Sequence, residues 1–94
     1  MAYQRQLRRK ETDPKAPELV RYENEIKTRI GRRIRALRDE TEPFLSQERL
    51  ANKVGIDRTY FAGVESGKRN VSTVNLLRIL EGLDVTPEQF FRRF

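Results

Sequence analysis

The residues with the most chemistry to offer are Arg58 and Thr59, which stand side by side directly after Asp57. A guanidinium presents planar, paired donors that match a guanine edge or a phosphate, and a threonine adds a short hydroxyl that both donates and accepts. Ten residues on, Lys68 and Arg69 form a second cationic pair. What is missing is equally informative. With no His and no Cys, the chain has no thiolate nucleophile, no imidazole acid–base group and no zinc-finger ligand set. No convergent catalytic groups can be assembled from what remains, so an enzyme is the least expected class and neither a cofactor nor a metal is expected. No apolar run approaches the roughly 18 residues of a membrane span, and Met1-Ala-Tyr-Gln-Arg-Gln lacks the apolar core of a secretion signal. The expectation is a cytoplasmic protein that binds through charge, with no evident small-molecule ligand.

The charge is unevenly placed. The 94 residues carry 20 Lys+Arg against 14 Asp+Glu, a net of +6. Residues 1–38 hold 12 basic and five acidic side chains, and residues 39–94 hold eight and nine, so the first 38 residues carry the whole excess. Such asymmetry in a short chain points to contact with a polyanion, a basic arm that only keeps the protein soluble being the alternative.

The elements that must position these residues are short helices. Residues 1–17 contain few apolar side chains and two prolines, Pro14 and Pro17, which bar a continuous helix. Residues 1–24 therefore read as a flexible basic arm and residues 25–94 as one folded domain. Ile26, Ile30, Ile34 and Leu37 define one helical face. Leu19 and Tyr22 share its phase and would carry the helix back to Glu18; Thr41-Glu42-Pro43 ends it near Glu40. Ser46 caps a second helix, Gln47–Val54, with Leu50, Ala51 and Val54 inward and Gly55 at its end. Asp57 caps a third, Arg58–Glu65, with Phe61 and Val64 inward. Ser72 caps a fourth, from Thr73 to about Leu83, with Val74, Leu77 and Leu80 expected inward. Thr86-Pro87-Glu88-Gln89 combines a capping box with proline at the first helical position and opens a fifth. No segment alternates with period two over strand length, so the expected fold is all-α.

Two helices of about eight residues joined by Gly55-Ile56-Asp57 have the proportions of a helix-turn-helix. Leu50, Val54, Phe61 and Val64 clamp the pair, which leaves Arg58, Thr59, Tyr60, Ala62 and Gly63 on the outer face of the third helix. That helix can place Arg58 and Thr59 in a major groove, with a phosphate near its N-terminus.

The stretch from Ile30 to Phe91 resembles the XRE family of lambda-repressor-like helix-turn-helix regulators. The likeness rests on Ile34-Arg-Ala-Leu-Arg38, Leu45-Ser-Gln-Glu-Arg-Leu-Ala51, Val64-Glu-Ser-Gly-Lys-Arg69 and Leu83-Asp-Val-Thr-Pro-Glu88. Asp57-Arg-Thr-Tyr-Phe-Ala-Gly-Val-Glu65 further resembles the controller proteins of restriction–modification systems. The resemblance implies a five-helix domain and assigns roles residue by residue. Arg58 and Thr59 match base-contacting positions, with phosphate contact the competing role for Arg58. Tyr60 matches a position used against the DNA backbone or for shape readout and is grouped with Arg58 and Thr59 as a base-contacting candidate; packing on its own helix is the alternative. Ser46 and Gln47 match phosphate neighbours, Gln47 also bracing the third helix. Lys68, Arg69, Asn70 and Ser72, with Thr73, match a segment lying along the DNA backbone. Arg38 and Glu65 occupy the positions of a buried structural ion pair. Three features depart from the pattern. The link Asp39–Leu45 is about two residues longer than usual, Gly63 stands where many relatives carry a base-reading side chain, and Arg49 replaces the Glu of a capping box.

The implied function is sequence-specific duplex DNA binding in transcriptional regulation, as a homodimer on an inverted repeat, since one small reading head touches few base pairs. Leu76, Ile79, Phe90, Phe91 and Phe94 are candidates for the dimer contact, with closure of the monomer core the competing explanation. The basic arm would add salt-dependent affinity without sequence information. An antitoxin or protein-interaction module that also binds its own promoter is the alternative function.

Overall fold

The computed structural model describes residues 16–92 and 94. Among these the chain forms five helices and no strand: α1 Pro17–Asp39, α2 Gln47–Val54, α3 Arg58–Glu65, α4 Thr73–Gly82 and α5 Pro87–Arg92. The four short helices start where local chemistry dictates. Ser46 Oγ accepts from the Arg49 amide at 3.1 Å, Asp57 Oδ2 from the Tyr60 amide at 3.0 Å, and Ser72 Oγ from the Asn75 amide at 3.1 Å. The Thr86 box is reciprocal: Thr86 Oγ1 accepts from the Gln89 amide at 3.1 Å while Gln89 Oε1 accepts from the Thr86 amide at 2.9 Å. Each such cap satisfies an amide that the helix itself cannot.

α1 is longer than the arm-and-domain division allows. Residues 17–24, grouped with the arm on composition, form its first two turns. Pro17 is the reason the helix can start there: at the first helical position its missing N–H is no loss. The remainder of the arm, residues 1–15, lies outside the described residues.

The core gathers Ile34 from α1, Leu50 and Ala51 from α2, Phe61 and Val64 from α3, Leu76, Ile79 and Leu80 from α4, and Phe90 from α5. α4 turns a different side inward from the one expected. Val74 and Leu77 are exposed, at 66% and 45% of their surface, while Leu76, Ile79 and Leu83 join Leu80 in the core. Two apolar stripes overlap in this helix, and the buried one carries the larger side chains against α2 and α5. The long α1–α2 link closes on itself, with Thr41 Oγ1 donating to the Arg38 carbonyl and accepting from the Leu45 amide. Leu45 packs against the core; Phe44 stays outside, its ring 5.7 Å from the Arg38 guanidinium carbon.

Gly31 lies in the middle of α1, where glycine costs about 1 kcal/mol relative to alanine. Packing explains it. A Cβ at this position would sit 2.5 Å from the Val64 carbonyl oxygen and overlap that of Glu65, so α1 and α3 meet backbone to backbone.

Candidate nucleic-acid interface

α2, the Gly55–Asp57 turn and α3 form the helix-turn-helix. Gly55 takes a left-handed conformation, φ 72°, and so reverses the chain at the end of α2. With Asp57 capping α3, Arg58 and Thr59 occupy its first turn and both are exposed. The Arg58 side chain keeps 67% of its surface in water, and its Nη1 lies 3.6 Å from Glu48 Oε2 on α2. A solvated pair of this kind contributes at most about 1 kcal/mol, so Arg58 is free to meet another acceptor.

The frame behind this turn is buried. Arg38 Nε donates to Glu65 Oε2 at 2.7 Å and Nη2 to Oε1 at 3.0 Å, with Nη1 reaching the Leu45 carbonyl at 3.1 Å. Gln47 Nε2 adds a bond to Glu65 Oε1 at 2.8 Å. One carboxylate thereby joins α1, α2 and α3. The hydrogen bond to Glu65 holds the Arg38 guanidinium above its ordinary pKa, outweighing the opposing effect of burial. Gln47 thus ties the start of α2 to the end of α3 through its amide nitrogen.

The Tyr60 hydroxyl is engaged within the protein. It donates to the Asn70 carbonyl at 3.3 Å and accepts from the Ser72 amide at 3.3 Å and from Asn75 Nδ2 at 3.4 Å. A phenol has one proton and two lone pairs, so its capacity is filled within the protein. Tyr60 is thereby a strut that fastens the 68–72 segment to α3. A second fastening lies one turn on, where the Lys68 and Arg69 amides donate to the Gly63 carbonyl at 2.9 and 3.1 Å. Gly63 also makes room above itself, because a Cβ there would overlap the Arg69 Cγ. The stem of Arg69 thus lies across the outer side of α3 where a longer residue at 63 would stand.

Lys68, Arg69, Asn70 and Ser72 are exposed along this segment. Neither Lys68 nor Arg69 has an ion-pair partner among the described residues. Ser46 and Ser72 use oxygen lone pairs as caps, and each keeps its hydroxyl proton for an outside acceptor. Several other cations are committed elsewhere. Arg33 donates to the carbonyls of Phe90 and Gln89, Arg29 to that of Phe94, and Lys53 to that of Gly82, which neutralises the carbonyl ends of α5 and α4. What is left around α3 is a rim of Arg58, Lys68 and Arg69 beside two capped helix starts.

The five candidates for a dimer contact divide. Ile79 and Phe90 are completely buried and Leu76 nearly so, in the monomer core, where no partner can reach them. That part of the expectation is corrected: closing the core under α4 and α5 takes these side chains. Phe91 is 47% exposed and Phe94 half-buried, with the Arg29 guanidinium carbon 4.2 Å from the Phe94 ring centre. Glu48, Asn75 and Gly31 were not singled out by sequence. Only Gly31 left a signal there, as a helix former's opposite inside a long helical run.

Among the described residues no group of three His, Cys, Asp or Glu could hold a metal ion, and no helix is long and apolar enough to cross a membrane. A capped reading helix, braced from behind and flanked by a cationic segment, defines a helix-turn-helix protein of the DNA-binding class.

Comparison with known proteins carries this further. A family model described as a helix-turn-helix domain matches residues 29–90. Control protein C.MunI of a Mycoplasma species is 47% identical over 68 residues, covering 72% of this chain and 90% of that protein. Control protein C.BamHI of Bacillus amyloliquefaciens is 37% identical over 65 residues, 69% of this chain and 79% of that one. Among solved structures, the restriction-modification controller protein C.AhdI from Aeromonas hydrophila superposes with a TM-score of 0.62 at 48% identity, covering 69% of this chain and 96% of that one. The chain belongs to the helix-turn-helix family, among the XRE-like restriction–modification controller proteins. It is a DNA-binding transcriptional regulator and not an enzyme.

Proposed function

We propose that two copies of this chain bind an inverted-repeat operator, each inserting α3 into the major groove, to regulate genes of a restriction–modification system. The observation that carries the reading is the first turn of α3. Arg58 and Thr59 stand exposed at a capped helix start while everything behind them is locked by Glu65. Arg58 is suited to the O6 and N7 atoms of guanine, and Lys68, Arg69, Ser46 and Ser72 to phosphate oxygens on either side. The similarity to the control proteins C.MunI and C.BamHI and the controller protein C.AhdI supports the regulatory setting. For the dimer, the apolar surface that α4 and α5 leave in water is Val74, Leu77 and Phe91.

Selection of sites from a random duplex pool tests the whole reading. The expected product is a pair of inverted half-sites with centres roughly 34 Å apart, one helical turn. Arg58→Ala should then lower discrimination between selected and scrambled DNA by about 1–3 kcal/mol while weak general binding persists. Enrichment of no sequence, or unchanged discrimination in Arg58→Ala, overturns it. Leu77→Asp should convert the protein to monomer in sedimentation.

A further inference from the structure

Besides the capping Asp57, a second carboxylate stands beside the reading turn, that of Glu48, and nothing in the buried frame requires it. It occupies the second position of α2, exposed over 57% of its side chain, and meets Arg58 Nη1 at 3.6 Å. Both charges lie on the side of the helix pair that the proposed function turns towards DNA. A carboxylate there is unfavourable for affinity alone, because the phosphates repel it at every sequence.

We infer that Glu48 is a positioning residue for Arg58, and that it directs the guanidinium to a guanine edge instead of a phosphate. The inference rests on Arg58 being the base-reading residue. A guanidinium has five N–H donors in a fixed plane. With Nη1 held by Glu48, its Nη2 edge remains for the two acceptors of guanine. In water the pair is loose. When DNA docks and excludes solvent, the same contact strengthens, because the local dielectric falls. At a wrong base the pair stays closed and Arg58 contributes little, so non-specific complexes gain nothing from it. Glu48 thereby withholds a cation from general binding and releases it, correctly aimed, to the right sequence.

The test is Glu48→Gln, alone and combined with Arg58→Ala, with full-length protein on selected and scrambled duplexes across a salt series. In the wild-type background Glu48→Gln should raise affinity for scrambled DNA and lower the ratio of specific to non-specific binding about tenfold. Its plot of log affinity against log salt should steepen by about one for scrambled DNA, as Arg58 now neutralises a phosphate. With Arg58→Ala already present, Glu48→Gln should leave the ratio unchanged. An unaltered ratio in the wild-type background overturns the inference, as does an equal change in both backgrounds, which would mark simple repulsion. Arg58→Ala alone separates the two claims. If it leaves the ratio intact, base reading by Arg58 fails; if it lowers the ratio and Glu48→Gln does not, only the role of Glu48 fails.

Discussion

The two ends of α3 are built on opposite terms. At the C-terminal end the Glu65 carboxylate is buried under three donors from Arg38 and Gln47, and the Val64 and Glu65 carbonyls press on Gly31. At the N-terminal end Arg58 and Thr59 stand in water, held by the Asp57 side-chain cap and one loose ion pair. The helix is only eight residues long, so restraint at one end fixes the direction of the other. Stability and recognition are therefore separated along a single element. Substitutions at the inner end should unfold the protein, and substitutions at the outer end should change what it binds.

The sharpest way to break that division is Glu65→Leu. It leaves the Arg38 guanidinium buried without its carboxylate and should cost about 3–5 kcal/mol in a denaturant titration. Adding Arg38→Met should return most of that loss, since a packed apolar pair can replace a buried ionic one. The raised pKa of Arg38 gives the pH dependence of this pair. A cation whose folded pKa lies above its unfolded value contributes fully below the unfolded value and loses that contribution as pH rises through the folded one. The Arg38 contribution should therefore survive into strongly alkaline solution in a melting series.

Gly31→Ala comes next. The new methyl meets carbonyl oxygens that cannot swing away, so a loss of about 1–3 kcal/mol is expected, measured by thermal unfolding. The smallest expected effect falls on the strut between the two ends. Tyr60→Phe should cost about 1 kcal/mol and speed hydrogen exchange at the Ser72 amide, which loses its acceptor. An equal slowing or no change at Ser72 would remove the strut from the account.

Much of this frame is legible in the sequence because helix starts are local. Ser46, Asp57, Ser72 and Thr86 announce α2 to α5 within a residue, since a cap needs only its own neighbours three positions on. Facing is less legible. Val74 and Leu77 lie on one stripe of α4 and Leu76, Ile79 and Leu83 on another, and only contact with α2 and α5 decides between them. The same limit explains Tyr60, whose partners lie 10 to 15 residues away. It also explains the basic side chains of α1. Their number is plain, yet nothing local distinguishes Arg29 and Arg33, which hold α5, or Arg38, which holds α3, from the exposed Arg32 and Arg35.

The contact at Gly31 has a consequence for how this protein can change its target. Because backbone meets backbone there, the distance between α1 and α3 is set by atoms that every amino acid shares. Neighbouring core side chains can be exchanged and repacked without tilting the reading helix. On the proposed reading, drift in the interior and drift in operator preference are thereby uncoupled, and substitutions at Glu48, Arg58 and Thr59 should change the recognised sequence with the mount left as it stands.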